Sequence, residues 1–148
     1  MALSLADLCR ARDELTTAEG STLDMVVLGS PHFSLAEFAR LTPLLRGLRR
    51  QPEVSFLVTT SRGVRDLAGS AGHLAVLEEF GGRVTVDTCI LATPMLPPSV
   101  KTIMTNSAKY AYYTPGLLGA QVAFGSLEDC VRSAVSGRIV RDDSGWRA

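Results

Sequence analysis

The stretch TNSAKYAYYTPG, Thr105 to Gly116, puts one Asn, one Ser, one Lys and three Tyr into the eight residues Asn106 to Tyr113. It reads as a polar loop closed by Pro115 and Gly116, where a strand would otherwise simply turn. Asn106 and Lys109 suit a clamp on a carboxylate or phosphate, helped by free backbone N–H groups where a helix starts at Ser107. Ser107 and Lys109 do not read as a nucleophile and its base, because residues two apart on a helix do not face each other. Four further sets carry comparable chemistry: Ser30-Pro31-His32, Thr59-Thr60-Ser61-Arg62, Asp87-Thr88-Cys89 and Gly125-Ser126. His32 reads as a general base or ligand, or equally as a surface turn residue. Cys89 reads as a metal-ligating thiolate, or equally as a small buried hydrophobe. His73 has no candidate ligand beside it, and helical spacing accounts for Cys9 and Cys130 without a metal.

The elements that must position these residues alternate. Ser4 to Leu15 is patterned as an amphipathic helix with Leu5, Leu8 and Leu15 near one face. Asp24 to Gly29 is a short β-branched run, too short for a helix. Ser34 and Glu37 form a capping box for a helix carrying Leu35, Phe38, Leu41 and Leu45. Val54 to Thr60 is the next strand, and Val64 to Phe80 is helical with an interruption at Gly69 to Gly72. Arg83 to Asp87, Lys101 to Thr105 and Gln121 to Phe124 complete five strands, with a proline-rich connection from Pro94 to Pro98. The last helix opens at Ser126 with Asp129 as the capping acid and ends near Gly137.

Strands joined through helices of this length predict a mostly parallel sheet covered on both faces, a three-layer α/β/α sandwich of about five strands in one domain, residues 1–148. Residues 141–148 read as a flexible tail. In a parallel sheet the five polar sets all fall on the carboxyl edge, where open α/β sheets bind ligands. Turn formers and helix caps explain Ser126 and much of Ser61 without a ligand, but explain His32, Cys89, Lys109 and Tyr110 less well.

Composition excludes several other classes. Fifteen basic against fifteen acidic residues, with no block of like charge, leave no footprint for nucleic acid or an anionic membrane. The arginines between Leu44 and Arg50 read as a solvated helix end. No run reaches the roughly 18 apolar residues of a membrane span and no secretory signal opens the chain, so the cytoplasm is expected. Three widely separated cysteines do not make a disulfide framework.

TNSAKYAYYTPGLLG followed by VAFGSLEDCVRSA resembles the C-terminal region of aconitase X large subunits, whose pattern runs roughly TNSGKYAHYAPG and then VAFGSLEDCV. VVLGSPHFSLAEFARL and VTVDTC are similar to the same family, in the same order, so the resemblance runs from Asp24 to about Gly137. It implies an aconitase-like domain of a hydro-lyase. Family members dehydrate small hydroxy acids, cis-3-hydroxy-L-proline in bacteria and mevalonate 5-phosphate in archaea, as a large and a small subunit holding iron or an iron–sulfur centre. Carried onto this chain, the resemblance makes Cys89 the metal ligand and lines the substrate cleft with Ser30, Pro31, His32 and Asn106 to Tyr110; within that cleft His32, Ser107 and Lys109 are the candidate catalytic residues. Ser30, Pro31, Asn106, Tyr110 and Ser126 become the substrate contacts.

The chain departs from the family pattern at Ala108, where Gly is usual, at Tyr112, where His is usual, and at Ser30, where some members carry Cys. The family's large subunit is several hundred residues long and builds its site between domains. A 148-residue chain is therefore expected to need the rest of the large subunit and the small subunit for turnover, to bare an apolar face and to self-associate without them. The alternative is a non-catalytic α/β domain used for assembly or anion binding.

Overall fold

A computed structural model describes residues 3–30, 32–94 and 96–146 of the chain. Strands β1 (Met25–Leu28), β2 (Ser55–Thr60), β3 (Arg83–Val86), β4 (Thr102–Thr105) and β5 (Gln121–Phe124) form one sheet in the order β3-β2-β1-β4-β5. Every neighbouring pair is parallel. Asp24 fixes the start of β4 beside β1, its carboxylate accepting from the N–H groups of Lys101 at 2.8 Å and Thr102 at 2.9 Å.

Both faces are covered, as the uninterrupted apolar runs predict. Val26, Leu28, Phe56, Val58 and Met104 turn one way, and Met25, Val27, Leu57 and Ile103 turn the other, the period of two expected of a strand. The first face is covered by α2 (Leu35–Leu45), α3 (Arg62–Ser70), α4 (His73–Phe80) and α6 (Leu127–Ser136). Phe38, Leu41 and Leu45 of α2 are almost wholly buried, each worth roughly 1.5–3 kcal/mol against exposure. The second face is thinner, covered by α5 (Ala108–Leu118) and a 3-10 turn at Ile90–Ala92.

Helix starts follow the sequence closely. Ser4, Ser34 and Ser126 each make a full capping box, with Asp7, Glu37 and Asp129. The long helical pattern from 64 to 80 divides into α3 and α4, because Gly72 takes φ +81° and resets the chain direction. Thr105 to Gly116 is largely helix rather than loop. Ser107 caps α5 by accepting from the Tyr110 N–H at 3.2 Å, and Pro115 lies inside the helix, where it removes one N–H without ending it.

Three other expectations change. Leu5 and Leu8 of α1 (Leu5–Glu14) are exposed, and the residue of that helix that is buried is Arg12. Arg50 is no solvated helix end, since its guanidinium donates to the carbonyls of Gly81, Gln51, Pro52 and Val54 at 2.7–2.9 Å. Residues 141–146, read as a tail, fold back: Arg141 pairs with Asp13 at 3.1 Å, the Asp142 N–H donates to Asp129 at 3.0 Å, and the Arg12 guanidinium stacks 4.9 Å from the Trp146 ring. His73 is held by Thr42 at 2.8 Å, in keeping with a structural role.

Candidate site at the switch point of the sheet

The chain runs β1, β2, β3 outward in one direction and β4, β5 outward in the other, with the crossover helices on opposite faces. The direction reverses between β1 and β4, and the crevice outside the carboxyl ends of those two strands is where doubly wound sheets take ligands. Gly29, Ser30 and His32 follow β1, and Asn106 and Ser107 follow β4. Sequence order alone does not show that these two segments are spatial neighbours.

Gly29 makes the first of these turns possible. It has φ +83°, and a Cβ there would lie 2.2 Å from the Thr59 carbonyl oxygen and 2.8 Å from Phe33. In the space it leaves, the Phe33 N–H donates to the Thr59 carbonyl at 2.8 Å and the Thr60 hydroxyl donates to the Phe33 carbonyl at 2.6 Å. Phe33 is thereby fixed to the end of β2 through both its N–H and its carbonyl. Ser30 Oγ is buried without a hydrogen-bond partner among the described residues, His32 is exposed, and Pro31 lies outside the described residues.

On the β4 side the residues separate. Asn106 and Ser107 are half-buried and Lys109 is exposed. The Ser107 hydroxyl is occupied as the α5 cap, and the Ser107 N–H donates to Thr105 Oγ1 at 3.2 Å. Tyr110, expected on the wall of an open cleft, is instead 1% exposed in the core of the second face, with its hydroxyl unpartnered among the described residues. Burial first, and the neighbouring Cys89 second, push this phenol well above its ordinary range.

Cys89 is half-buried at the end of the β3 connection. Asp87 just before it takes a left-handed φ of 54°, which Asp tolerates better than most residues. Its carboxylate accepts from the Arg62 N–H at 3.0 Å and pairs with the Arg62 guanidinium at 3.2 Å, tying this connection to the start of α3. From there Cys89 leads directly into the 3-10 turn, whose Ile90 packs in the same cluster as Tyr110. Among the described residues no three His, Cys, Asp or Glu side chains form a metal cluster.

A cavity of about 270 Å³ opens beside this edge, between the end of β5 and the start of α6. Asn106 and Ser126 reach it from the expected set, while Cys89, Tyr110 and Ser30 lie elsewhere. Ser126 is spent on its capping box, accepting from the Asp129 N–H at 3.0 Å. Arg12, Arg40 and Arg141 also line the cavity and escape a reading of strand ends, since they come from two helices and the returning C-terminal segment. Glu37, Glu128, Asp129 and Asp142 offset them, so the cavity carries both signs of charge.

The comparisons with known proteins agree on one family. The profile of the aconitase X third domain matches residues 23–136. The cis-3-hydroxy-L-proline dehydratase of Pseudomonas aeruginosa is 52% identical over 93% of this chain, and the enzyme of that name from Hypocrea jecorina is 46% identical over 83%. The phosphomevalonate dehydratase large subunit of Methanothermobacter thermautotrophicus is 32% identical over 85%. These alignments span 24%, 21% and 31% of the respective relatives. The crystal structure of Thermococcus kodakaraensis aconitase X in its holo-form superposes with a TM-score of 0.76 at 29% identity, over 87% of this chain and 33% of that one. With the third-domain match over most of its length and a relative 52% identical over 93% of it, the chain belongs to the aconitase X family.

Proposed function

We propose that this chain is the third-domain part of an aconitase X hydro-lyase that dehydrates a small hydroxy acid, cis-3-hydroxy-L-proline foremost. The observation that carries the substrate is the gap in identity: 52% to a cis-3-hydroxy-L-proline dehydratase against 32% to a phosphomevalonate dehydratase large subunit, over similar shares of this chain. The rest of the large subunit, corresponding to the chain upstream of this C-terminal part, and a small subunit would complete the enzyme, in the cytoplasm.

In such a dehydration a carbon acid loses its proton, the released electron pair forms the carbon–carbon double bond, and the hydroxyl on the adjacent carbon departs as water. Iron, when bound, would supply Lewis-acid assistance to the departing hydroxyl. Within this chain Cys89 would hold the metal. Asn106 and Ser30 would orient substrate polar groups at the switch point, and exposed Lys109 would attract the carboxylate. His32, which follows β1 at the same edge, would carry a proton.

Replacing the matching segment of the Pseudomonas aeruginosa enzyme with this chain tests the reading. A chimera that converts cis-3-hydroxy-L-proline to pyrroline-2-carboxylate and loses that activity with Cys89→Ser is expected. A folded, iron-loaded chimera with no turnover of this or related hydroxy acids overturns it, and favours the assembly reading.

A further inference from the structure

Two side-chain oxygens, Ser30 Oγ and Tyr110 OH, are buried without a partner among the described residues. The Tyr110 hydroxyl is the more informative. Leaving a buried hydroxyl unpaired costs roughly 1–3 kcal/mol, and Phe would fill the same volume without that cost. The rest of α5 offers contrast, because Thr114 one turn later is equally buried and donates to the Tyr110 carbonyl at 2.7 Å. The phenol lies in the cluster that holds Ile90, the residue after Cys89, and α5 packs directly on the 3-10 turn that Cys89 opens. The Cys89 backbone is fixed, since its carbonyl accepts from Thr93 Oγ1 at 3.1 Å, which leaves its thiol as the adjustable member.

We propose that Tyr110 is a positioning residue for Cys89: its partnerless hydroxyl is kept to donate to the Cys89 sulfur when that sulfur is a metal-bound thiolate. A neutral thiol is a weak acceptor and a thiolate a strong one, so the hydrogen bond would form only in the loaded state. Burial keeps the phenol protonated, as a donor must be. Partners in the second coordination sphere of this kind typically change metal affinity 10–100-fold. The inference rests on Cys89 being a metal ligand, but not on the substrate or on which metal is native.

The test uses the 148-residue chain with cadmium ion as a thiolate-seeking probe, in a Cys9→Ser background; Cys130 is wholly buried. Cadmium affinity is read from the thiolate-to-metal absorbance, and thermal stability is measured alongside without metal. The expected result is binding that Cys89→Ser abolishes and Tyr110→Phe weakens about 10–100-fold, with the Tm of Tyr110→Phe equal to or above that of the parent. Equal affinity in Tyr110→Phe and parent overturns the proposal, as does binding indifferent to Cys89→Ser. Weakened binding with a lowered Tm also overturns it, because that is the mark of a packing role. Should Tyr110→Phe not fold, fluorotyrosine incorporation with Tyr112 and Tyr113 changed to Phe strengthens the donor and keeps the shape. Tighter cadmium binding is then expected, and unchanged binding overturns the proposal. An inactive hydroxyproline chimera beside a positive cadmium result would overturn the substrate reading alone.

Discussion

At the residue scale, two buried acids hold protons that the unfolded chain would release. Burial first, then the nearby Asp129 and Glu128 charges, push the Cys130 thiol far above its ordinary 9.0, and burial with Cys89 does the same to Tyr110 above 10.0. Above about pH 9 the unfolded chain therefore binds fewer protons than the folded one, so stability falls as pH rises, by up to about 1.4 kcal/mol per pH unit for each group. Below that point the contribution is whole. Urea midpoints measured from about pH 8 to pH 11 should decline, and Cys130→Ala should delay the onset toward the tyrosine range. A flat midpoint would mean that neither group stays protonated in the fold.

At the element scale, the capping boxes are equal in sequence and unequal in structure. The Ser34 box stands exposed, whereas Asp129 is buried and accepts from the N–H groups of both Ser126 at 3.1 Å and Asp142 at 3.0 Å. Ser34→Ala should cost about 1 kcal/mol, and Asp129→Ala about 2–4 kcal/mol because it removes a buried carboxylate that accepts two N–H hydrogen bonds. Paired urea titrations check the order, and equal costs would refute it. The strands and most helix starts are legible because short apolar runs and capping spacings are local signals. The start of helix α5 at Ser107 is legible but its length is not, because Pro115 and Gly116 look like loop closers, and what carries the helix on is the burial of Tyr110, Ala111 and Thr114 against the sheet. The site is legible only in part for the same reason. The strand-end rule points to Ser30, Asn106 and Cys89, of which Asn106 alone lines the cavity, yet burial decides that Tyr110 faces inward, and Arg141 reaches the cavity through a fold-back with no local signature.

At the scale of the whole molecule, the chain spans 24% of its Pseudomonas aeruginosa relative, and its second face carries one full helix where the first carries four. On that helix Tyr112 is 70% exposed and Leu117 61%, with Tyr113 set edge-on to Tyr112 at 5.1 Å. An aromatic and aliphatic strip on the sparse face, on the helix that begins at the switch point, is suited to contact the further chain that the proposed function calls for. The double variant Tyr112→Lys with Leu117→Lys should leave the Tm of the chain within about 2 °C, since exposed positions change stability little. It should weaken capture of the remaining part of the Pseudomonas aeruginosa dehydratase, supplied as a separate polypeptide, at least about tenfold, as loss of two apolar interface anchors would. Unchanged capture with an unchanged Tm would show that this strip is not the contact.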